Sequence, residues 1–146
     1  MGHHYIESGL DNVWLDNGFQ THSTPYGEGM AVDDVTGLHK AIGHWLISRQ
    51  QALTGAELRF LRIEMELTQR NLAAMLGVEE QAVRRWEKTR RKPLAGPVDR
   101  LVRAIYSEWA GGDGSVRRMI ARLAEFDQAE QVRGRFVEGD AGWMRV

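Results

Sequence analysis

The sequence predicts a mainly α fold: a central bundle of four to five helices, a small α+β N-terminal module before it, and one helix plus a β-hairpin after it. Three observations carry the prediction. Apolar residues recur at helical spacing in several separate stretches, for example Val98, Leu101, Val102 and Ile105. Helix-start and helix-stop residues punctuate the middle of the chain, with Thr54, Thr68 and Pro97 at starts and Gly77 at a stop. Hairpin signals fall toward the two ends, at Asp16-Asn17-Gly18 and Gly139-Asp140-Ala141-Gly142.

The 146 residues suffice for one domain or two small ones. A hydrophobic content of 42% supports a core and excludes global disorder. Cysteine is absent, which excludes disulfides and thiolate metal sites. No apolar run approaches the roughly 20 residues of a membrane span. No basic segment leading into an apolar one opens the chain, so a cytoplasmic protein is expected.

In chain order, residues 12–15 and 19–22 flank Asp16-Asn17-Gly18. Asn-Gly favours a two-residue type I′ turn, because both positions accept positive φ, so a hairpin is expected there. Residues 24–29 read as a loop and 30–32 as a short strand. Asp33 and Asp34 offer an N-cap and favourable charge to a helix. Its inner side is expected at Val35, Leu38, Ile42 and Trp45, and its end near Ser48. Gly37 and Gly43 each weaken that helix by roughly 1 kcal/mol unless they permit close packing.

Residues 49–53 mark an expected boundary. It divides an N-terminal module, 1–53, from a domain at 54–110, with a C-terminal segment at 111–146. Thr54 and Glu57 make a capping-box pattern, opening a helix to about Glu66 with Leu58, Leu61 and Met65 inward. Thr68 caps the next helix, where Leu72, Ala73 and Leu76 share one side, and Gly77 supplies the left-handed residue that ends it. A further helix follows at about 80–88, with Val83 and Trp86 inward and Gln81, Arg84, Arg85 and Lys88 outward. Pro97 suits the first turn of a helix whose inner side is Val98, Leu101, Val102 and Ile105. After Gly111-Gly112-Asp113-Gly114 comes an amphipathic helix with Val116, Met119, Ile120 and Leu123, then a hairpin formed by 135–138 and 143–146.

Charge singles out the middle of the chain. Residues 1–54 hold two basic and six acidic side chains, a net of −4, whereas 55–110 hold eleven and eight, a net of +3. Six basic residues and one acid fall within 84–92. Two short helices joined at a glycine, the second presenting amide and guanidinium groups, are an arrangement suited to reading DNA. Positive charge is focused where a DNA backbone would lie.

The stretches LTQRNLAAMLGV (67–78) and VRRWEK (83–88) resemble the helix-turn-helix of the Cro/phage-repressor, or XRE, class, over residues 54–108. ESGLDNVWLDNG (7–18) and LTGAELRFLR (53–62) resemble bacterial regulators grouped with MqsA-type antitoxins. Any zinc module of the kind found in MqsA-type relatives would have lost its cysteine ligands here. The first resemblance implies that Gln69 touches a DNA phosphate and that Glu87 pairs with a basic residue of the preceding helix, best matched by Arg62.

On the recognition helix, Gln81 and Arg84 can make paired hydrogen bonds to adenine and guanine, and Arg85 shares that exposed side. Lys88, Arg90, Arg91 and Lys92 suit phosphates. Glu80 can accept from cytosine N4 or can lower non-specific affinity. Two positions depart from the pattern. Glu79 stands where Ser or Thr commonly caps the recognition helix, and Thr89 replaces a frequent glycine.

The five histidines lack the spacing of a helical metal pair, no phosphate-cradling glycine loop appears, and no nucleophile signature is present. No cofactor and no catalysis are expected. The expected function is sequence-specific binding of double-stranded DNA as a homodimeric transcriptional regulator. The alternative is an antitoxin whose acidic N-terminal module binds a toxin and which autoregulates its operon. A more distant reading is an enzyme targeted to DNA.

Overall fold

The computed structural model describes residues 2–112, 114–126 and 133–146, without the side chains of 116–117 and 123–126. Asp113, and the side chains of Val116 and Leu123 expected on the inner side of the last helix, lie outside the described residues. The order is β1 (His3–His4), a 3-10 turn (Ile6–Ser8), β2 (Trp14–Leu15), β3 (Phe19–Thr24), β4 (Gly27–Val32), α1 (Val35–Ser48), α2 (Gly55–Glu64), α3 (Gln69–Leu76), α4 (Glu80–Lys88), α5 (Gly96–Gly111), α6 (Ser115–Phe126), β5 (Phe136–Gly139) and β6 (Gly142–Arg145). The mainly α architecture with small β elements at both ends is as expected. Among the described residues no helix is long and apolar enough to cross a membrane.

The N-terminal pairing differs from the expected hairpin. Strand β2 does not pair across Asn17-Gly18; it pairs antiparallel with β1, where the His4 ring stacks on Trp14 at 4.2 Å. Strand β3 turns instead through Pro25-Tyr26 into β4, with Phe19 opposite Val32 and Thr24 opposite Gly27. Three local features favour that second turn. Proline pre-sets φ at the first turn position. The Thr24 hydroxyl donates to the Gly27 carbonyl at 2.5 Å and accepts from the Tyr26 amide at 3.2 Å. Gly27 takes φ 117, which suits the residue leaving such a turn. The loop expected at 24–29 is therefore a hairpin tip and the start of a strand.

Helix α1 begins as expected, with the Asp34 carboxylate accepting from the Gly37 amide at 3.1 Å. Of its expected inner residues Ile42 is buried and Leu38 packs against the core, but Val35 and Trp45 are exposed, and Gly43 and Leu46 complete the buried side. The reason is Gly43. A methyl group there would overlap the Tyr106 hydroxyl, so the missing side chain lets α1 settle onto α5 at that point. Trp45 turns to the edge, with the Arg49 guanidinium 5.2 Å from its ring.

The core runs from Tyr5 and Leu10 through Leu46, Leu58, Leu61, Leu72 and Val83 to Val102, Ile105 and Ile120. It crosses residues 49–53 without a break. Polar groups reinforce that crossing. Asp99 accepts from the Leu53 amide at 2.7 Å and from Arg103 at 3.1 Å, and Arg103 donates onward to the carbonyls of Ile47, Arg49 and Gln51. His39 links Tyr5 (2.9 Å) to Glu64 (3.1 Å), a role its sequence position does not announce. Burial, then the charge of Glu64, raises the Tyr106 phenol above its ordinary range.

The last helix and hairpin are more open. Ile120 is buried but Met119 is exposed. In the β5–β6 hairpin Phe136 pairs with Arg145 and Glu138 with Trp143, and every residue of both strands is exposed.

Candidate nucleic-acid interface

The α3–α4 unit is built largely from local signals. The Thr68 hydroxyl accepts from the Asn71 amide at 3.0 Å, and the Asn71 side chain returns to Thr68, completing a capping box with asparagine in the usual glutamate position. Gly77 closes α3 at φ 70, where a β-carbon would be strained. Leu72, Ala73 and Val83 anchor the two helices in the core, where all three are buried. Glu79 gives α4 no side-chain cap, in keeping with its poor capping chemistry. Thr89 ends α4 without the left-handed turn of a glycine. It sits at φ −87, and its hydroxyl donates to the carbonyls of Arg85 (3.0 Å) and Trp86 (3.3 Å). The loop beyond it is tied to α2, because the amides of Gly55 and Ala56 donate to the carbonyls of Lys92 and Arg90.

The inner edge of α4 carries the expected ion pair. Arg62 donates from Nε to Glu87 Oε2 at 2.7 Å and from Nη2 to Oε1 at 2.9 Å. Its Nη1 reaches the Leu67 carbonyl at 2.9 Å, and Gln69 Nε2 adds a bond to Glu87 Oε1 at 3.1 Å. One carboxylate thus joins α2, the start of α3 and α4. Gln69 is half-buried and engaged with Glu87, at the first position of α3. Trp86 is half-buried against the core rather than fully enclosed.

The outer edge is exposed at Gln81, Arg84, Arg85 and Lys88. Glu80 and Arg84 form an i, i+4 pair at 3.0 Å, each roughly half-exposed. A solvated pair of this kind is worth about 0–1 kcal/mol, so Arg84 can leave Glu80 for another acceptor at little cost. Gln69, Arg84 and Lys88 line a cleft of about 610 Å³ together with Arg59, which the sequence reading passed over. The available signal was spacing: Arg59 lies three residues before Arg62 on α2, hence near the same side. Arg85 and Lys92 flank a second hollow, beside Trp86 and Thr89. Arg90 and Arg91 are placed differently from the rest. Arg90 is half-buried and donates to the Gly9 carbonyl at 2.8 Å, and Arg91 is almost fully exposed.

A model of the helix-turn-helix family matches residues 58–105, about a third of the chain, from within α2 to within α5. The match supports a DNA-binding regulator. It does not extend to the N-terminal flank, residues 7–18. No curated protein and no solved structure gives a significant match.

Proposed function

We propose that the chain binds duplex DNA as a two-fold homodimer, with α4 reading base edges in the major groove. The carrying observation is the division of α4 into two edges. Glu87, Arg62 and Gln69 lock the inner edge to α2 and α3, while Gln81, Arg84, Arg85 and Lys88 stand exposed on the outer edge. A held helix with exposed amide and guanidinium groups, Arg84 tied only through its solvated pair with Glu80, is what paired hydrogen bonds to adenine and guanine require. Gln81 and Arg84 are the assigned base readers, with Glu80 available to cytosine. Arg85 shares that exposed side, and Lys88, Arg90, Arg91, Lys92 and the start of α3 at Gln69 are assigned to phosphates. One short helix offers three or four readers, too few for a genomic address, so two copies on half-sites about 34–36 Å apart follow. The exposed apolar hairpin, with Phe136, Val137, Trp143 and Met144, is a surface available for that pairing. A cytoplasmic location accords with this reading.

Selection of bound oligonucleotides from a random pool by the full chain tests it. A two-fold consensus supports the proposal, and an asymmetric half-site bound with full specificity by a monomer overturns the dimer.

One observation favours a second reading, an antitoxin that binds a protein toxin and autoregulates. All six carboxylate residues of 1–54 are exposed, which suits a basic partner. Co-purification of the full chain with a small basic protein encoded beside it, lost when those carboxylates are neutralised, would support that reading. Retention after neutralisation would count against it.

A further inference from the structure

The loop after α4 does not stand free of the N-terminal module. Arg90 Nη2 donates to the Gly9 carbonyl at 2.8 Å and lies 3.5 Å from Asp11 Oδ1. Arg91 Nε lies 3.9 Å from Asp11 Oδ2. The position of Asp11 is set by its neighbours rather than by its charge. Leu10 and Val13 are buried in the core at 1% and 7% exposure. Asn12 donates to Glu57 at 3.3 Å, and the Asp11 carbonyl accepts from His4 at 2.6 Å. The backbone is anchored on both sides, and a half-exposed carboxylate is carried to a fixed place beside two guanidinium groups of the basic loop.

We propose that Asp11 occupies Arg90 and Arg91 in place of a backbone phosphate, so that DNA must displace an internal competitor to dock on this loop. The inference rests on the DNA-binding reading and adds to it a determinant outside the helix-turn-helix match. Phosphate contacts supply sequence-independent affinity through release of counterions. A carboxylate held within 4 Å of the same arginines subtracts from that affinity and leaves base preference alone. The N-terminal module thereby sets how tightly the domain binds any duplex, although it contributes no base reader.

The experiment compares the full-length chain with Asp11→Asn on a labelled duplex of arbitrary sequence across a salt series. Asp33→Asn serves as the charge control, since Asp33 is exposed and its amide is bonded to Gly18. Asp11→Asn should tighten binding about three- to tenfold at low salt, the range of one or two exposed ion pairs. It should also steepen the slope of log affinity against log salt by about 0.9 for each guanidinium released onto a phosphate. Asp33→Asn should leave both unchanged. In an Arg91→Ala background the gain from Asp11→Asn should shrink, as a double-mutant cycle reveals.

Unchanged binding by a folded Asp11→Asn chain would mean that Asp11 does not compete with phosphate, weaker binding that it positions the loop for DNA, and either would overturn the proposal. An equal gain from Asp33→Asn would reduce the effect to net charge and overturn it as well. Failure of every chain to bind any duplex would remove the DNA-binding reading itself, and the competitor with it.

Discussion

Helix α4 carries two arginine–carboxylate pairs of similar length and opposite consequence. On its inner edge Arg62 and Glu87 meet at 2.7 Å with side chains 13% and 4% exposed. On its outer edge Arg84 and Glu80 meet at 3.0 Å with side chains 48% and 41% exposed. The inner pair is shielded from water, bidentate, and shared with Gln69 and the Leu67 carbonyl, so neither partner has an alternative solvation. The outer pair competes with water at every moment. The difference teaches that burial, and not separation, decides which arginine is structure and which is available to a ligand. A partly buried pair fixes the angle between helices more than it adds net stability, since desolvation offsets much of its attraction.

Removing one inner partner should have the largest effect. Glu87→Ala leaves the Arg62 charge shielded and unpaired, a loss of about 3–5 kcal/mol, to be read by urea or thermal unfolding. A loss as small as that of a surface mutation would break the comparison. Trp86 lies between the two edges. Complete burial would make its truncation cost about 3–5 kcal/mol, so a half-covered ring should cost about 2–3 kcal/mol. An unchanged melting temperature combined with lost DNA binding would recast Trp86 as a contact.

On the outer edge, Arg84→Ala should change stability by no more than about 0.5 kcal/mol. It should nonetheless relax base preference at one operator position, where a bidentate pair discriminates by about 1–3 kcal/mol. The same consensus selected by mutant and parent would sink its assignment as a reader.

Tyr106 is a third case, a buried polar group with no hydrogen-bond partner among the described residues. Its hydroxyl is shielded and accepts or donates no hydrogen bond among the described residues, and burial raises its pKa. Tyr106→Phe should therefore stabilise by about 1 kcal/mol, because an unsatisfied buried hydroxyl is removed. The sign of the pH effect follows from the raised value. A phenol whose folded pKa lies above its unfolded one contributes its full stability below about pH 10 and loses it as pH rises beyond that point. The Phe variant should lose less stability in alkali than the parent, and a parallel decline in both would exclude Tyr106 as the cause.

The elements legible in the sequence are those whose causes lie within a few residues. Thr54 with Glu57, Thr68, Gly77 and Pro97 mark helix ends through their own backbone preferences or partners within one turn. The arginine-rich outer edge of α4 was legible for the same reason, since its neighbours are its own helix. The Arg62–Glu87 pair spans 25 positions and was readable only through resemblance to a family, not from local chemistry.

Other features depended on which surfaces meet. Asn17-Gly18 carried a strong turn signal, yet Trp14 found His4 and the chain turned later at Pro25-Tyr26. The inner side of α1 was decided by the fit of Gly43 against Tyr106, on a helix more than 60 positions away. Arg90 reads as a phosphate ligand from its basic neighbours, and only the fold gives its guanidinium a second neighbour, the Gly9 carbonyl 81 positions distant. The sequence alone determined helix ends, the charged edge of α4 and the mainly α character, because caps and periodicity act locally. Only tertiary structure decided the strand partners, the face of α1 and which arginines remain free, because each depends on burial and on partners brought together by the folded core.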